Sequence, residues 1–391
     1  MKAIYWEMRK SLFRLPVLIV LIVFSLLDIF RISEVYSIFG RFSSENTRVI
    51  RTAYYDFYDE LKGTVSNENI EILVQKDKEL TSLIMSGEYS REYDPKCFTG
   101  YEFGDFALFH FNIVPEVRYY LTYPNYSNEI VRKADENISF FKSKNADYQA
   151  KYNDLIRRMY SGRNISEYRL TEWAGFYFSY DFSSLLAMII LVFGLCSSFT
   201  AEKESGMTRI ICSVGKIRDT TFSKVVAAAV YSSAITLWFS ALDLTVMCIS
   251  FGIDGLNMPV YSAEYFKDSP YSFSFITAII VCGVLRFASL VVVSLTVLLI
   301  SEISPNTIVS GIVSFAFIIV LILSAGYFPS VLNPVLALTQ DSYIKTFDCI
   351  NLFGNPVPQL YIAALTLLMM SIALTIIIVS ISAKSMRKSN V

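Results

Sequence analysis

Six long apolar stretches constrain this chain of 391 residues more than any other feature. A helix needs about 20 mostly apolar residues to cross a bilayer, with a working range of roughly 17–25. Each stretch meets that requirement, so the chain is predicted to be an all-α polytopic membrane protein with six transmembrane helices. The predicted spans are 15–32 and 307–328, with further spans inside 178–199, 225–251, 273–300 and 360–382.

The composition supports a membrane protein and argues against several other classes. Hydrophobic residues make up 53% of the chain and charged residues only 18%, whereas a soluble domain of this size would carry more charge. The formal net charge of −1 gives no indication of nucleic-acid binding. A single histidine, His110, argues against His-based catalysis and His-rich metal sites. Six cysteines without a CxxC pair predict neither a zinc ribbon nor a redox motif.

The first apolar stretch has two interpretations, a retained helix or a secretory signal peptide. Its apolar run is longer than the ~7–15 residues usual in a signal peptide, and no A-x-A-like cleavage site follows it. We therefore predict a retained membrane helix at 15–32. Before it, the amphipathic segment KAIYWEMRKSLFR is predicted to be an elbow helix lying on the inner leaflet.

Basic residues orient the predicted spans. Lys and Arg concentrate before span one, in the loop 200–224 and after span six, whereas the short loops 252–272 and 329–358 hold only Lys267 and Lys345. Cytoplasmic loops are enriched in Lys and Arg, so both termini and the loop 200–224 are predicted to be cytoplasmic. The chain is accordingly predicted to be a multi-pass protein of the plasma membrane.

The orientation places residues 33–177 outside, as one extracytoplasmic domain between spans one and two. Apolar residues recur at helical spacing within 50–61 and within 130–159, which predicts a mainly helical domain with two hairpin arms. Between the arms, the aromatic segment 89–126 is predicted to be irregular because it contains Pro95, Pro115 and Pro124. Its aromatic residues either fill the core of the domain or face a substrate leaving the membrane. The predicted organisation is thus 1–32, 33–177 and 178–391.

The cytoplasmic loop FTAEKESGMTRIICSVGKIR combines charge, glycine and regularly spaced apolar residues. Gly206 lacks a Cβ and permits a sharp change of direction. The residues that follow it form one apolar stripe over two helical turns, namely Met207, Ile210, Ile211 and Val214. Asp219, Thr220 and Thr221 are predicted to cap the start of span three.

A two-turn helix is not stable alone in water, so its stripe must rest on another surface. That surface is either the membrane or a hydrophobic groove on a cytoplasmic partner. The dipeptide Gly215-Lys216 does not complete a phosphate-binding loop, because Ile210 and Ile217 occupy the positions that require Gly and Ser or Thr. No nucleotide site is predicted on this chain. Neither a paired-carboxylate site nor a Ser/His or Cys/His arrangement is readable, so the chain is not predicted to be an enzyme.

At these residues the chain resembles the permease subunits of ABC-type exporters of the second class (ABC type 2, the type V exporter fold). The resemblance covers the basic amphipathic start, the outer domain, the five further spans, and the loop Glu202-Lys-Glu204-Ser-Gly206 with Ile210-Ile211 and, later, Lys224. Family members often have a Pro before the basic pair ahead of span three, where this chain has Val214-Gly215-Lys216.

The resemblance implies that the loop is a coupling helix seated in a cleft of an ABC ATPase subunit. The implied contacts are Glu202, Glu204, Gly206, Met207, Ile210 and Ile211. It also implies a second permease copy, as a homodimer or a paralogous heterodimer. ATP and Mg²⁺ would bind the ATPase, and no cofactor is implied on this chain.

Ionisable residues within the predicted spans are Asp28, Asp243 and Arg286. Such residues are costly in a membrane and need partners. Counted from the cytoplasmic ends, Asp243 and Arg286 fall at similar depth, and we hypothesise an ion pair between them. The alternatives are a locking pair without contact to cargo, or side chains that snorkel to the outer interface. Cys97 and Cys349 are both predicted to lie outside, where a disulfide is conceivable.

The sequence therefore predicts an exporter permease for an unidentified substrate such as a peptide, lipid or drug-like molecule. The alternative is a membrane-anchored surface or sensory protein whose outer domain binds a ligand or partner. A plain anchor would not need six helices or buried charges.

Overall fold

The computed structural model describes residues 2–11, 14–39, 59, 62–64, 67–86, 114–169, 171–214, 217–251, 253–327 and 330–389. Most of the described chain is helical. The helices are α1 Lys2–Ser11, α2 Leu15–Phe39, α3 Asn67–Ser86, α4 Val114–Ser143, α5 Asp147–Tyr160, α6 Glu172–Ser179, α7 Phe182–Leu195, α8 Thr200–Glu204, α9 Met207–Ser213, α10 Ile217–Phe251, α11 Phe275–Ile303, α12 Thr307–Tyr327 and α13 Gln359–Ser389. The strands are β1 Gly63–Thr64, β2 Glu167–Tyr168, β3 Cys349–Leu352 and β4 Asn355–Pro358.

Six helical segments of the described chain are long and apolar enough to cross a membrane, which confirms the predicted number of spans. Five of them lie in single helices, namely α2, α10, α11, α12 and α13. Span three begins at Ile217, so Asp219, Thr220 and Thr221 lie inside the first turns of α10 and not ahead of it. The prediction that these residues cap span three is therefore wrong. An acidic residue in the first turn still interacts favourably with the helix dipole.

Span two is not one continuous helix. α6 ends at Ser179, Tyr180 is extended, and α7 begins at Phe182. A turn at 196–199 then separates α7 from the short helix α8. Helix α2 continues past residue 32 and α6 begins before residue 178, so neither predicted domain boundary coincides with a helix end.

Helix α11 lies at the centre of the bundle and packs against α7, α10, α12 and α13. Its buried residues lie on all sides, as expected for a helix that is apolar all round. The core consists of two apolar clusters. Most residues of α7 belong to the first cluster, which also includes residues of α10 and α11. Within that cluster, Gly194 of α7 faces the buried ring of Tyr231 of α10.

Replacing Gly194 by Ala is expected to lower the free energy of unfolding by about 1–3 kcal/mol, the usual effect of overpacking a core. A Cβ at this position would overlap the Tyr231 ring, whose hydroxyl donates to the Ile190 carbonyl at 3.1 Å. Gly283→Ala is the matched control, since no atom lies within 4 Å of the added Cβ and Ala favours a helix. Thermal unfolding in detergent should separate the two variants, and equal unfolding temperatures would contradict the packing described here.

The second predicted helical arm is present as an antiparallel hairpin of α4 and α5, joined by residues 144–146. The prediction of irregular structure is wrong for 114–126, since α4 begins at Val114 and continues through Pro124. Pro115 sits in the first turn, where its missing N–H removes no helical hydrogen bond. Pro95 and most of the first predicted arm, 50–61, lie outside the described residues.

A buried arginine fastens this hairpin to the segment between α10 and α11. The Arg163 guanidinium lies between the rings of Tyr160 and Tyr261, 4.1 and 4.7 Å from their centroids. It donates to the Ser269 carbonyl at 2.7 Å and to the Tyr123 hydroxyl at 2.9 Å. Of these residues, Tyr123 belongs to the aromatic segment 89–126, and its burial in this core matches the first of the two roles considered for that segment.

The strands were not expected in an all-α chain. β1 and β2 form a two-residue antiparallel pair, and β3 and β4 form a hairpin between spans five and six that packs against α5. Burial raises the pKa of the Cys349 thiol in β3 to about 11. Cys349 is a free cysteine in the structure, so the conceived disulfide with Cys97, which lies outside the described residues, is not formed there.

Candidate functional site

The loop between spans two and three folds into a corner made of α8 and α9. Gly206 forms the corner with a φ of +71°, a conformation that L residues adopt only with strain. No atom lies within 4 Å of a Cβ added there, so glycine is required by the backbone and not by crowding. The predicted change of direction at Gly206 is confirmed.

The apolar residues of α9 divide between two faces. Met207, Ile210 and Val214 are 45%, 64% and 61% exposed, and we call these three residues the exposed stripe. Ile211 is half-buried and lines a small cavity with Thr208, Lys224 and Ser382. The prediction of one four-residue stripe is therefore wrong for Ile211, because that side chain turns toward the cavity that Ser382 of α13 also lines.

The Glu202 carboxylate faces inward. Lys224, which is almost completely buried, lies 2.9 Å from Glu202 Oε1 and also donates to the Ser198 carbonyl. Its Nζ lies 4.5 Å from the centre of the Phe199 ring and 3.9 Å from Glu7 Oε2 of α1. Only 9% of Glu202 is exposed, so this predicted docking residue is engaged inside the protein.

Glu204 and Lys203 connect α8 to α12 and α11, and Glu302 of α11 extends these contacts to α13. Glu204 accepts from the backbone N–H of Thr307 at 2.7 Å and from its hydroxyl at 3.2 Å, at the start of α12. Lys203 lies 3.8 Å from Glu302 Oε2 and donates to the Glu302 carbonyl. Glu302, at the end of α11, accepts from Ser382 of α13 at 3.1 Å. These contacts connect the corner to spans four and five directly and, through Glu302, to span six.

These contacts include residues that the sequence analysis missed, namely Glu7, Glu302, Thr307 and Ser382. Glu302 carried a signal, since an acid at the end of an apolar helix needs a partner. The partner itself is nearly 100 residues away in the chain, and no local pattern identifies it.

Inside the bundle, Arg286 Nη1 lies 3.0 Å from Asp243 Oδ2, so the hypothesised ion pair is present. Ser183 of α7 donates to the same carboxylate oxygen at 2.7 Å and accepts from Arg286 at 2.9 Å. Asp28 accepts from the Tyr180 hydroxyl at 2.6 Å. The side chains of Asp28, Asp243 and Arg286 are all buried within the chain, so none of them snorkels.

Replacing Gly206 by Ala is expected to destabilise the protein by about 1–2 kcal/mol, the strain of a left-handed conformation in an L residue. Gly206→Asn should be better tolerated, because Asn adopts this conformation more readily. Gly162→Ala gives a comparison at a second left-handed glycine with open surroundings. Unfolding temperatures should fall in the order wild type, Gly206→Asn, Gly206→Ala. A Gly206→Ala variant as stable as the wild type would contradict the left-handed conformation at this position.

Comparison with protein-family models, curated proteins and solved structures found no match for this chain. The function is therefore argued from its own residues and contacts.

Proposed function

We propose that this chain is the membrane-spanning permease subunit of an ATP-driven exporter of the ABC type 2 class. A separate ATPase subunit docks on the exposed stripe of α9 and moves the spans through the α8–α9 corner. ATP and Mg²⁺ bind that partner, and bond chemistry takes place there. The observation that carries the proposal is an apolar surface of three residues presented by a corner that is tied to spans three to six.

The division of labour within the loop supports docking by apolar contact. Glu202, Lys203 and Glu204 form intramolecular contacts that hold the corner in place. Met207, Ile210 and Val214 are left outward, where a groove on a partner would cover them. Of the six implied contacts, Met207 and Ile210 are thus the side chains suited to touch the partner directly. Gly206 sets their direction.

The remaining parts of the proposal follow from the distribution of charge and apolar surface. Basic residues near the loop and both termini favour a cytoplasmic location for α9. Helices α2, α12 and α13 bury little of their apolar surface within the chain, which suits contact with lipid and with a second permease copy. The cargo is an unidentified peptide, lipid or drug-like molecule.

The proposal is tested by affinity capture of the full-length chain from membranes of its own host. An ATPase with a phosphate-binding loop should co-purify, and Ile210→Asp should reduce its recovery at least tenfold, because a buried anchor residue contributes about 2 kcal/mol or more. Phe353→Asp is the matched control, since Phe353 is 96% exposed at the tip of the β3–β4 hairpin.

Two outcomes would contradict the proposal. Equal ATPase recovery with Ile210→Asp and Phe353→Asp would mean that the exposed stripe does not contact the ATPase and lies on the membrane or in solvent. Absence of any ATPase, with a ligand or partner captured through the α4–α5 hairpin, would favour the surface or sensory protein.

A further inference from the structure

A cluster of polar side chains lies inside the bundle where α2 meets α7 and α10. We call it the buried cluster, and its members are Asp28, Tyr180, Ser183, Asp243 and Arg286. Every member is less than a tenth exposed. Asp28 on the first span therefore faces the ion pair of spans three and four, a juxtaposition that the proposed docking of an ATPase does not explain.

The hydrogen bonds of the cluster leave two carboxyl oxygens unassigned. Arg286 and Ser183 both engage Oδ2 of Asp243, and the Tyr180 hydroxyl engages Oδ1 of Asp28. Asp243 Oδ1 and Asp28 Oδ2 are fully buried and have no donor among the described residues. The two carboxyl groups belong to one cluster, since Asp28 accepts from Tyr180 and Asp243 accepts from Ser183, three residues further along the chain, and the two acidic side chains interact.

Two ionised carboxylates cannot hydrogen-bond to each other, because each can only accept. A proton on one of the two carboxyl groups turns it into a donor, which two ionised carboxylates lack. The charge count requires the same proton. Two carboxylates beside one guanidinium leave a net charge of −1 in a buried site, whereas one added proton makes the cluster neutral.

Other titratable and charged groups around the cluster do not change this count. Tyr177 of α6 and Tyr180 carry phenol groups, which are uncharged at neutral pH and add nothing to the net charge of the cluster. Arg31 acts on Tyr180 from the exposed side of α2.

We infer that Asp28 and Asp243 hold one proton between them and that the buried cluster is a proton-binding site of the membrane bundle. The ligand is a proton, shared by the carboxyl groups of Asp28 and Asp243, while Arg286 balances the remaining negative charge. Release of the proton leaves two facing carboxylates, whose repulsion favours separation of α2 from α10. The site does not depend on whether an ATPase docks on α9.

Infrared spectroscopy of the full-length protein in lipid vesicles tests the inference. The wild type at neutral pH should show the carbonyl stretch of a protonated carboxylic acid, shifted by ¹³C-aspartate labelling. Asp28→Asn should lose that band, and Glu136→Gln, which removes an exposed acid of α4, should retain it. Tyr180→Phe should keep the band but shift its frequency, because the carboxyl group loses one hydrogen bond.

A wild-type spectrum without a protonated aspartate band at neutral pH would overturn the inference. So would a band that appears only after Na⁺ and K⁺ are removed, since the two oxygens would then bind a metal cation. If Asp28→Asn fails to fold, the isotope shift and the Tyr180→Phe shift still decide between these results.

Discussion

Replacing Arg286 by Met is expected to lower the free energy of unfolding by about 3–5 kcal/mol, which is one of the two largest effects predicted for this chain. The substitution removes the only cation of the buried cluster among the described residues and leaves Asp243 without its 3.0 Å partner. A buried carboxylate without a counter-charge has lost its hydration, and no ion pair offsets that desolvation penalty. Thermal unfolding in detergent, with size-exclusion chromatography of the surviving fraction, measures the loss.

Two further variants isolate the ion pair from the general effect of losing an arginine. Arg157→Met removes an exposed pair with Asp154 and should change stability by about 1 kcal/mol or less. The double variant Arg286→Met with Asp243→Leu should recover much of the lost stability, since an apolar pair can replace a buried ion pair. If Arg286→Met alone were harmless, the pair would not be holding spans three and four together.

Replacing Lys224 by Met is expected to destabilise the protein by about 3–5 kcal/mol, the second large effect. Lys224 is the cation on which Glu202 and the Ser198 carbonyl converge, and Glu7 of α1 lies nearby. Its loss removes the 2.9 Å partner of the buried Glu202 carboxylate next to the α8–α9 corner. The corner should therefore loosen before the rest of the bundle does.

Limited trypsin digestion distinguishes this local effect from global unfolding. Cleavage after Arg209 or Arg218 should become faster in the Lys224→Met variant than in the wild type. Lys133→Met, which removes an exposed pair with Glu129 on α4, is the matched control and should leave both stability and cleavage unchanged. Unchanged cleavage in Lys224→Met would contradict the assignment of Lys224 as the support of the corner.

The membrane helices could be predicted from the sequence because length and apolar composition determine them. The pairing of Asp243 with Arg286 could be predicted for a related reason, since counting residues from the same end of two spans gives their depths. The turn at Gly206 could also be predicted from the sequence, because a glycine between two short helical patterns indicates a turn.

The partners of the loop charges could not be predicted in the same way. Glu202 pairs with Lys224, Lys203 with Glu302, and Glu204 with Thr307. These contacts join residues from 22 to about 100 positions apart and leave no periodic pattern. For the same reason the sequence placed Ile211 on the exposed stripe, although in the structure this residue is half-buried beside a cavity that Ser382 of α13 also lines.

The β3–β4 hairpin carried a local signal that the prediction of an all-α chain passed over. Phe353 and Gly354 both have positive φ and link Leu352 directly to Asn355, as in a two-residue hairpin turn. Gly354 followed by Asn355 and Pro356 is the kind of cluster that marks a turn.

Site-specific photo-crosslinking from the exposed stripe in living cells tests directly whether an ATPase subunit docks on α9. A photoreactive residue at Ile210 should form one product with an ATPase subunit, and the same probe at Phe353, at the opposite end of the protein, should not. Mass spectrometry would identify the crosslinked peptide, which should lie near the nucleotide site of the partner. Crosslinks from Ile210 to lipid alone, or equal crosslinking from both positions, would contradict the account.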